Sequence, residues 1–223
     1  MLSDLTFGSF LTYVPKKKIA LVTDDLRDSA KLAYDIMLGM KTERVSSKEG
    51  PTSRWLAVVL KSHLSEHSGP LRELLGPSKV LIPMPRNAPL ATDALWVPKL
   101  IADALCAEGL GASVLPCVRR VTAVPKSATA GPGKRADPHE HYDSMEIDPP
   151  LDWPGEVVLV DDVVTRGSTF LGAASLVNDA HPEMKIACFA MIRTTQAPIF
   201  REIGDPCVGS ITLDGWGRLN RQP

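Results

Sequence analysis

The residues of this chain best suited to chemistry lie between Glu156 and Thr169, which read Glu-Val-Val-Leu-Val-Asp-Asp-Val-Val-Thr-Arg-Gly-Ser-Thr. An apolar run, predicted to be a strand over residues 156–160, ends in two acids. It passes through Val163 and Val164 into a small, hydroxylic turn, and residues 169–180 read as a helix. Ligands of open α/β sheets bind beyond the carboxyl ends of the strands, where this turn lies. The first N–H groups of a helix have no internal partner, and the helix dipole favours an anion there. Gly167 lets the backbone approach a phosphate closely, and Thr165, Ser168 and Thr169 add hydroxyl donors. Arg166 either adds a charge to the phosphate or points to solvent. The result is a cradle for one monophosphate. Asp161 and Asp162 are acceptors when ionised, able to take hydrogen bonds from neighbouring ribose hydroxyls or to orient water on a nearby Mg²⁺. Cradle and acids together predict a ribose 5-phosphate site. The plainer alternative is a strand end with two solvated acids and a capped helix.

Elements that could position such a site are legible along the chain. Residues 79–83 form a short apolar strand ending in Pro83-Met84-Pro85. Residues 93–108 read as an amphipathic helix with Trp96, Leu100, Ala104 and Leu105 inward and Pro98 in its first turn or at a kink. Residues 113–118 and 185–192 are further strands. Strands alternating with helices imply parallel pairing with right-handed crossovers, and strands apolar throughout are expected where helices cover both faces. Upstream, residues 28–40 and 53–65 are predicted helices and residues 19–23 a short strand, while residues 1–18 read as irregular. The stretch 122–150, rich in Pro, Gly, Ala, Ser and charge, is a long loop of the kind that is functional or disordered. It carries Lys126, Lys134, Arg135, His139 and His141. Arg119-Arg120 ends a predicted strand near the site or pairs with surface acids, and Lys16-Lys17-Lys18 reads as a solvated run.

The bulk properties bound the function classes. The chain has 223 residues, 44% hydrophobic and 23% charged, enough for one α/β domain with additions or at most two small domains. A net charge of −1 provides no general attraction to nucleic acid or to a membrane surface. The start carries acid early and its basic run late, the reverse of a signal peptide, and no apolar run approaches the roughly 18 residues of a membrane span. A cytoplasmic protein is expected. Cys106, Cys117, Cys188 and Cys207 lack zinc-ribbon spacing, and the apolar surroundings of Cys106, Cys117 and Cys188 read as those of buried free thiols.

The run from Asp161 to Thr169, an apolar strand, two acids and Thr-x-Gly-x-Thr, resembles the phosphoribosyl pyrophosphate (PRPP) signature of type I phosphoribosyltransferases. Residues 80–86, Val-Leu-Ile-Pro-Met-Pro-Arg, are similar to the domain start of the ComF-like subgroup, related to competence protein F. The likeness spans residues 79–194, about half of the chain. Two features depart from that subgroup: there is no N-terminal zinc ribbon, and Ala128-Thr129-Ala130-Gly131 stands where Gln-Thr-Gly-Leu is usual.

The resemblance implies an α/β fold, with an open, mainly parallel sheet flanked by helices. Residues 1–78 would be a helical accessory or hood region, and residues 79–223 the core with a C-terminal tail, part of which also serves the hood. It implies that Asp161, Asp162, Val163, Val164, Thr165, Arg166, Gly167, Ser168 and Thr169 bind PRPP. Pro85, Arg86 and Asn87 would meet the pyrophosphate, unless Arg86 is simply a surface arginine. Lys126, Lys134 and Arg135 would close over the site on a mobile loop. Mg²⁺ would arrive with PRPP, held by it and reached through water by Asp161 and Asp162, with no direct protein ligand. The implied reaction is transfer of the 5-phosphoribosyl group to an unidentified nitrogen acceptor with release of pyrophosphate. Two other readings stand beside it: a non-catalytic PRPP- or nucleotide-binding module of regulatory or DNA-uptake type, and a subunit of a homo-oligomer or larger assembly.

Overall fold

The computed structural model describes residues 1–125 and 136–223 of the chain. Its strands are β1 (Asp4–Tyr13), β2 (Val45–Ser46), β3 (Gly50–Pro51), β4 (Val80–Pro83), β5 (Ser113–Val114), β6 (Val118–Arg120), β7 (Met145–Ile147), β8 (Glu156–Val164), β9 (Lys185–Thr194), β10 (Gly204–Leu213) and β11 (Leu219–Gln222). Its helices are α1 (Arg27–Lys41), α2 (Thr52–Glu66), α3 (Pro70–Leu74), α4 (Val97–Ala107), α5 (Pro138–Asp143) and α6 (Ser168–Ala180). The main sheet runs β11-β10-β1-β9-β8-β4-β5. The pairs from β1 through β9, β8 and β4 to β5 are parallel, and β10 and β11 add an antiparallel edge. This is the α/β architecture expected from the sequence, a mainly parallel open sheet flanked by helices.

Burial on both faces explains why β8 is apolar from Val157 to Val160, all four fully buried. Alternate residues point to opposite faces. Val158 and Val160 join a core with Met40 of α1, Leu56 and Leu60 of α2, Leu71 of α3 and Ile101 of α4. Val157 and Leu159 join a second core with Phe170, Leu171 and Val177 of α6 and Val118 and Met145 of the β6–β7 ribbon.

Several sequence expectations are corrected. Residues 1–18 are not irregular: β1 lies inside the main sheet, parallel to β9 and antiparallel to β10. Its alternation is masked by Ser9 and Thr12, which are buried but satisfied: Ser9 Oγ accepts from Arg193, and Thr12 Oγ1 donates to the Glu202 carbonyl at 2.8 Å. The segment assigned to an accessory region thus supplies a central strand as well as α1–α3 on one face. Residues 19–23 are not a strand. A 3-10 turn spans Lys16–Leu21, and Ile19 and Val22, three apart, are buried on one side of the chain there. The expected strand 113–118 breaks at Pro116, which has no N–H to donate, so β5 joins the main sheet and β6 pairs with β7. The helix expected from 93 begins at Val97 with Pro98 in its first turn, and its buried face rotates to Val97, Ile101, Ala104 and Leu105. Residues 138–147, expected to be loop, form α5 and β7.

Phe7 of β1 is fully buried against the α6 side. Phe7→Ala is expected to destabilise the protein by about 3–5 kcal/mol, read as a lower urea midpoint with an unchanged slope. A loss below about 1 kcal/mol would show that β1 is not packed inside the sheet.

Candidate functional site

Parallel pairing sets the site. Pro83 of β4 is in register with Val160 of β8, and Val164 of β8 with Arg193 of β9, so the segments after β4 and β8 leave the sheet at one edge. Strand β8 does not stop at Val160 as expected. It continues to Val164, past the end of β4, and carries both acids on that overhang.

The chain then turns through Gly167, whose φ of 94° lies in the left-handed region that favours glycine. A Cβ at Gly167 would also run into the side chain of Ile211 on β10. Gly167 is the N-cap of α6 and offers no side chain to the first amides of that helix, which have no side-chain cap among the described residues. A pocket of about 70 Å³ opens here, lined by Asp161, residues 163–170 and Ala136. Its volume suits a phosphate-sized group. Thr165 shares a 3.3 Å hydroxyl contact with Thr194, Ser168 and Thr169 are half-buried, and Arg166 is exposed.

The two acids are separated by the strand's alternation. Asp161 lines the pocket, and Asp162 does not. Asp162 instead accepts from Lys41 Nζ at 2.7 Å, at the end of α1. Asp161 Oδ1 accepts the Asp162 N–H at 2.8 Å, and Asp162 Oδ1 the Val163 N–H at 2.7 Å. Burial first, and the adjacent Asp162 charge second, hold the Asp161 carboxyl well above the usual carboxylate range, against the Asp162 N–H and Lys41. Burial alone would lower the Lys41 ammonium, but Asp162 and then Asp161 more than offset it, and the net shift is upward.

After β4, the Met84 N–H donates to the Val160 carbonyl at 2.8 Å, and Trp96 Nε1 donates to the Met84 carbonyl at 2.8 Å. Asn87 is tied to Val124 through its backbone carbonyl (2.8 Å) and its side-chain amide (3.3 Å). Pro85 is half-buried, and the Arg86 side chain is exposed while its carbonyl accepts from Arg120 Nε at 3.0 Å.

The two arginines at 119 and 120 diverge as a strand requires. Arg119 is exposed and pairs with Glu146 and Asp148. Arg120 is 5% exposed, and besides the Arg86 carbonyl it donates to the His141 carbonyl at 3.3 Å, to Ser144 Oγ, and to His141 Nδ1 at 3.4 Å. Burial lowers its guanidinium to about 10, with Asp161 acting in the opposite sense. His141 is buried on α5 with Nε2 3.3 Å from Thr169 Oγ1. Burial first and Arg120 second bring its imidazole down to about 4. His139 is exposed.

The structure therefore brings Asp161 and residues 163–169 together in one pocket, leaves the anchored segment of Pro85, Arg86 and Asn87 outside that lining at the same end of the sheet, and turns Asp162 toward α1. Lys126, Lys134 and Arg135 lie outside the described residues. Sequence reasoning missed Lys41, Ile211 and Arg221, which donates to the carbonyls of Val164 (3.3 Å) and Thr194 (2.7 Å) beneath the turn. One available signal went unused. Asp137-Pro138-His139-Glu140 is a capping box with Pro at the first helical positions, and it announces the short helix that buries His141. Among the described residues no group of three or more His, Cys, Asp or Glu side chains is set to hold a metal ion, and no helix is long and apolar enough to cross a membrane. No protein-family model matches the chain, and no curated protein matches it.

His141 yields a pH prediction. The folded imidazole titrates near 4 and the unfolded one near 6.5, so between these values only the unfolded chain takes up the proton. The contribution of His141 is full above about pH 6.5 and declines as the pH falls to about 4, by on the order of 3 kcal/mol. Asp161, raised rather than lowered, works in the opposite direction, so the informative quantity is the difference between wild type and His141→Gln. Urea unfolding between pH 7.5 and 4 is expected to show the steeper acid loss in wild type. Parallel curves would mean that His141 is not held neutral in the fold.

Proposed function

We propose that this protein binds PRPP and transfers its 5-phosphoribosyl group to a nitrogen acceptor with release of pyrophosphate. The observation that carries the reading is the pocket at the start of α6. Amides without a side-chain cap and the hydroxyls of Thr165, Ser168 and Thr169 converge there, with Asp161 on the same wall. The 5-phosphate would sit on residues 165–169, and Asp161 would accept from a ribose hydroxyl. The anchored backbone after β4, with Arg86 exposed beside it, suits a pyrophosphate, since a guanidinium fork matches phosphate oxygens.

In the reaction the C1–oxygen bond to pyrophosphate breaks, a C1–nitrogen bond forms, and the acceptor nitrogen gives up its proton. The chain offers position and charge stabilisation rather than a covalent nucleophile. Mg²⁺ would arrive with the ligand as a hard cation, the Asp161 carboxyl would be the oxygen donor able to hold one of its waters, and the ion would neutralise charge on the pyrophosphate. A cytoplasmic setting, where PRPP and its acceptors are at hand, agrees with this reading.

A second reading, a PRPP- or nucleotide-binding module without turnover, has one observation in its favour: Asp162 is turned off the pocket wall onto Lys41, so only one of the two acids is placed to accept from a ligand there.

Calorimetric titration of Mg²⁺-PRPP into wild type and into an Asp161→Asn/Asp162→Asn double variant tests the site. Saturable binding that weakens at least tenfold in the variant is expected. Pyrophosphate release on adding nitrogen bases then separates the enzyme from the binding module. Folded wild type that takes up no ligand at millimolar concentration sinks both readings.

A further inference from the structure

Two residues outside the expected site, Arg120 and His141, form a hydrogen-bonded chain that ends on a wall of the pocket. A guanidinium has donors and no acceptor. Arg120 Nη2 lies 3.4 Å from His141 Nδ1, so Nδ1 has to be the bare, accepting nitrogen. A neutral imidazole with a bare Nδ1 carries its proton on Nε2. His141 Nε2 lies 3.3 Å from Thr169 Oγ1, and with a proton on that nitrogen the threonine oxygen accepts. The hydroxyl proton of Thr169 then cannot point at the histidine and is left for another acceptor. Thr169 lines the pocket, and among the described residues its hydroxyl makes no other hydrogen bond.

We infer that Arg120 and His141 are positioning residues that set the polarity of the Thr169 hydroxyl, so that it presents its proton to an anion in the pocket. This rests on the reading of the pocket as a phosphate site. The fold builds the device deliberately. The capping box of Asp137 and Glu140 holds the short helix α5, and α5 lies so close to α6 that a Cβ on Gly172 would meet His141 Cβ and the Pro138 carbonyl, each at 2.8 Å. That close approach seats His141 against Thr169. At its other end Arg120 holds the Arg86 carbonyl at 3.0 Å, which joins the proposed pyrophosphate segment to the phosphate cradle. The depressed basicity of His141 agrees with an imidazole that stays neutral and keeps one tautomer.

Two measurements test the inference, with inorganic phosphate as probe. The first is the ¹⁵N spectrum of histidine-labelled wild type, in which His141 should show a protonated Nε2 and an unprotonated Nδ1. Its Nε2–H signal should shift as phosphate saturates the protein. The second is a double-mutant cycle on phosphate affinity, with thermal unfolding followed for each variant. His141→Leu is expected to weaken phosphate binding about tenfold, the worth of one hydrogen bond to a charged acceptor. His141→Gln, which keeps an N–H donor near the Nε2 position, should recover most of that loss. In a Thr169→Val background His141→Leu should have no further effect. An Nδ1–H tautomer in wild type, or losses from His141→Leu and Thr169→Val that simply multiply, would overturn the inference while leaving the phosphate site intact. A folded wild type that binds no phosphate would overturn the site reading and this inference together.

Discussion

Strand β8 is buried on both faces and paired in parallel on both sides, and the rest of the molecule follows from that constraint. Its backbone needs β4 and β9 as hydrogen-bonding partners, and its valines and leucine need a helical layer above and below. Parallel neighbours can be reached only by crossovers, so the segments after β4 and β8 emerge at the same edge. The pairing partner on one side gives out first. Strand β4 ends at Pro83, and the four residues of β8 beyond Val160 keep only β9. The two acids of the motif occupy that overhang, which is paired on one side only, and its hydroxyls follow in the turn and the first residues of α6. Two acids can stand at the end of an otherwise dry strand because Asp162 meets Lys41 there and burial holds the Asp161 carboxyl toward its neutral form.

The wall around that opening is held by three cations at different depths, Arg120 buried, Arg221 half-buried and Lys41 exposed. An unpaired guanidinium in the interior is costly, so Arg120 commits the segment after β4, helix α5 and Ser144 to one arrangement. Arg221 does the same from the far edge of the sheet, fixing the carbonyls of Val164 and Thr194 below the turn, while Ile211 fills the space against Gly167. Lys41 is the third case. It ties the end of α1 to Asp162 and gives the N-terminal helices a contact with the acid pair. Among the described residues no side chain caps the amides at the start of α6.

Local pattern carried the sequence reading where an element's environment is uniform. Residues 157–160 are apolar on both faces, and no alternation is needed to recognise them. The turn at 165–169 announces itself through Gly167 and its hydroxyl neighbours, and the long amphipathic stripes of α1 and α2 have one wet side. Pattern failed where buried polar groups are satisfied at long range. Ser9 and Thr12 make β1 look like loop because their partners, Arg193 and the Glu202 carbonyl, lie more than 180 residues away. Strand β10 opens on Gly204-Asp205-Pro206, and its pairing with β1 is irregular there: Gly204 faces Leu11 and Cys207 faces Ser9, with Asp205 and Pro206 left out of the register.

By itself the sequence determined the α/β class and the strand–acid–turn–helix order, because each rests on contacts within a few residues. The tertiary structure alone decided the rest. It put Asp161 in the pocket and Asp162 on Lys41, because strand alternation sends neighbours to opposite faces and only the packed helices say what waits there. It also turned Arg120 inward and Arg119 outward, and brought His141 to Thr169 through the close approach of α5 and α6 at Gly172. Such pairings join residues distant in the chain, and their free energy belongs to burial and hydrogen-bond satisfaction in the folded state, which no local window of sequence contains.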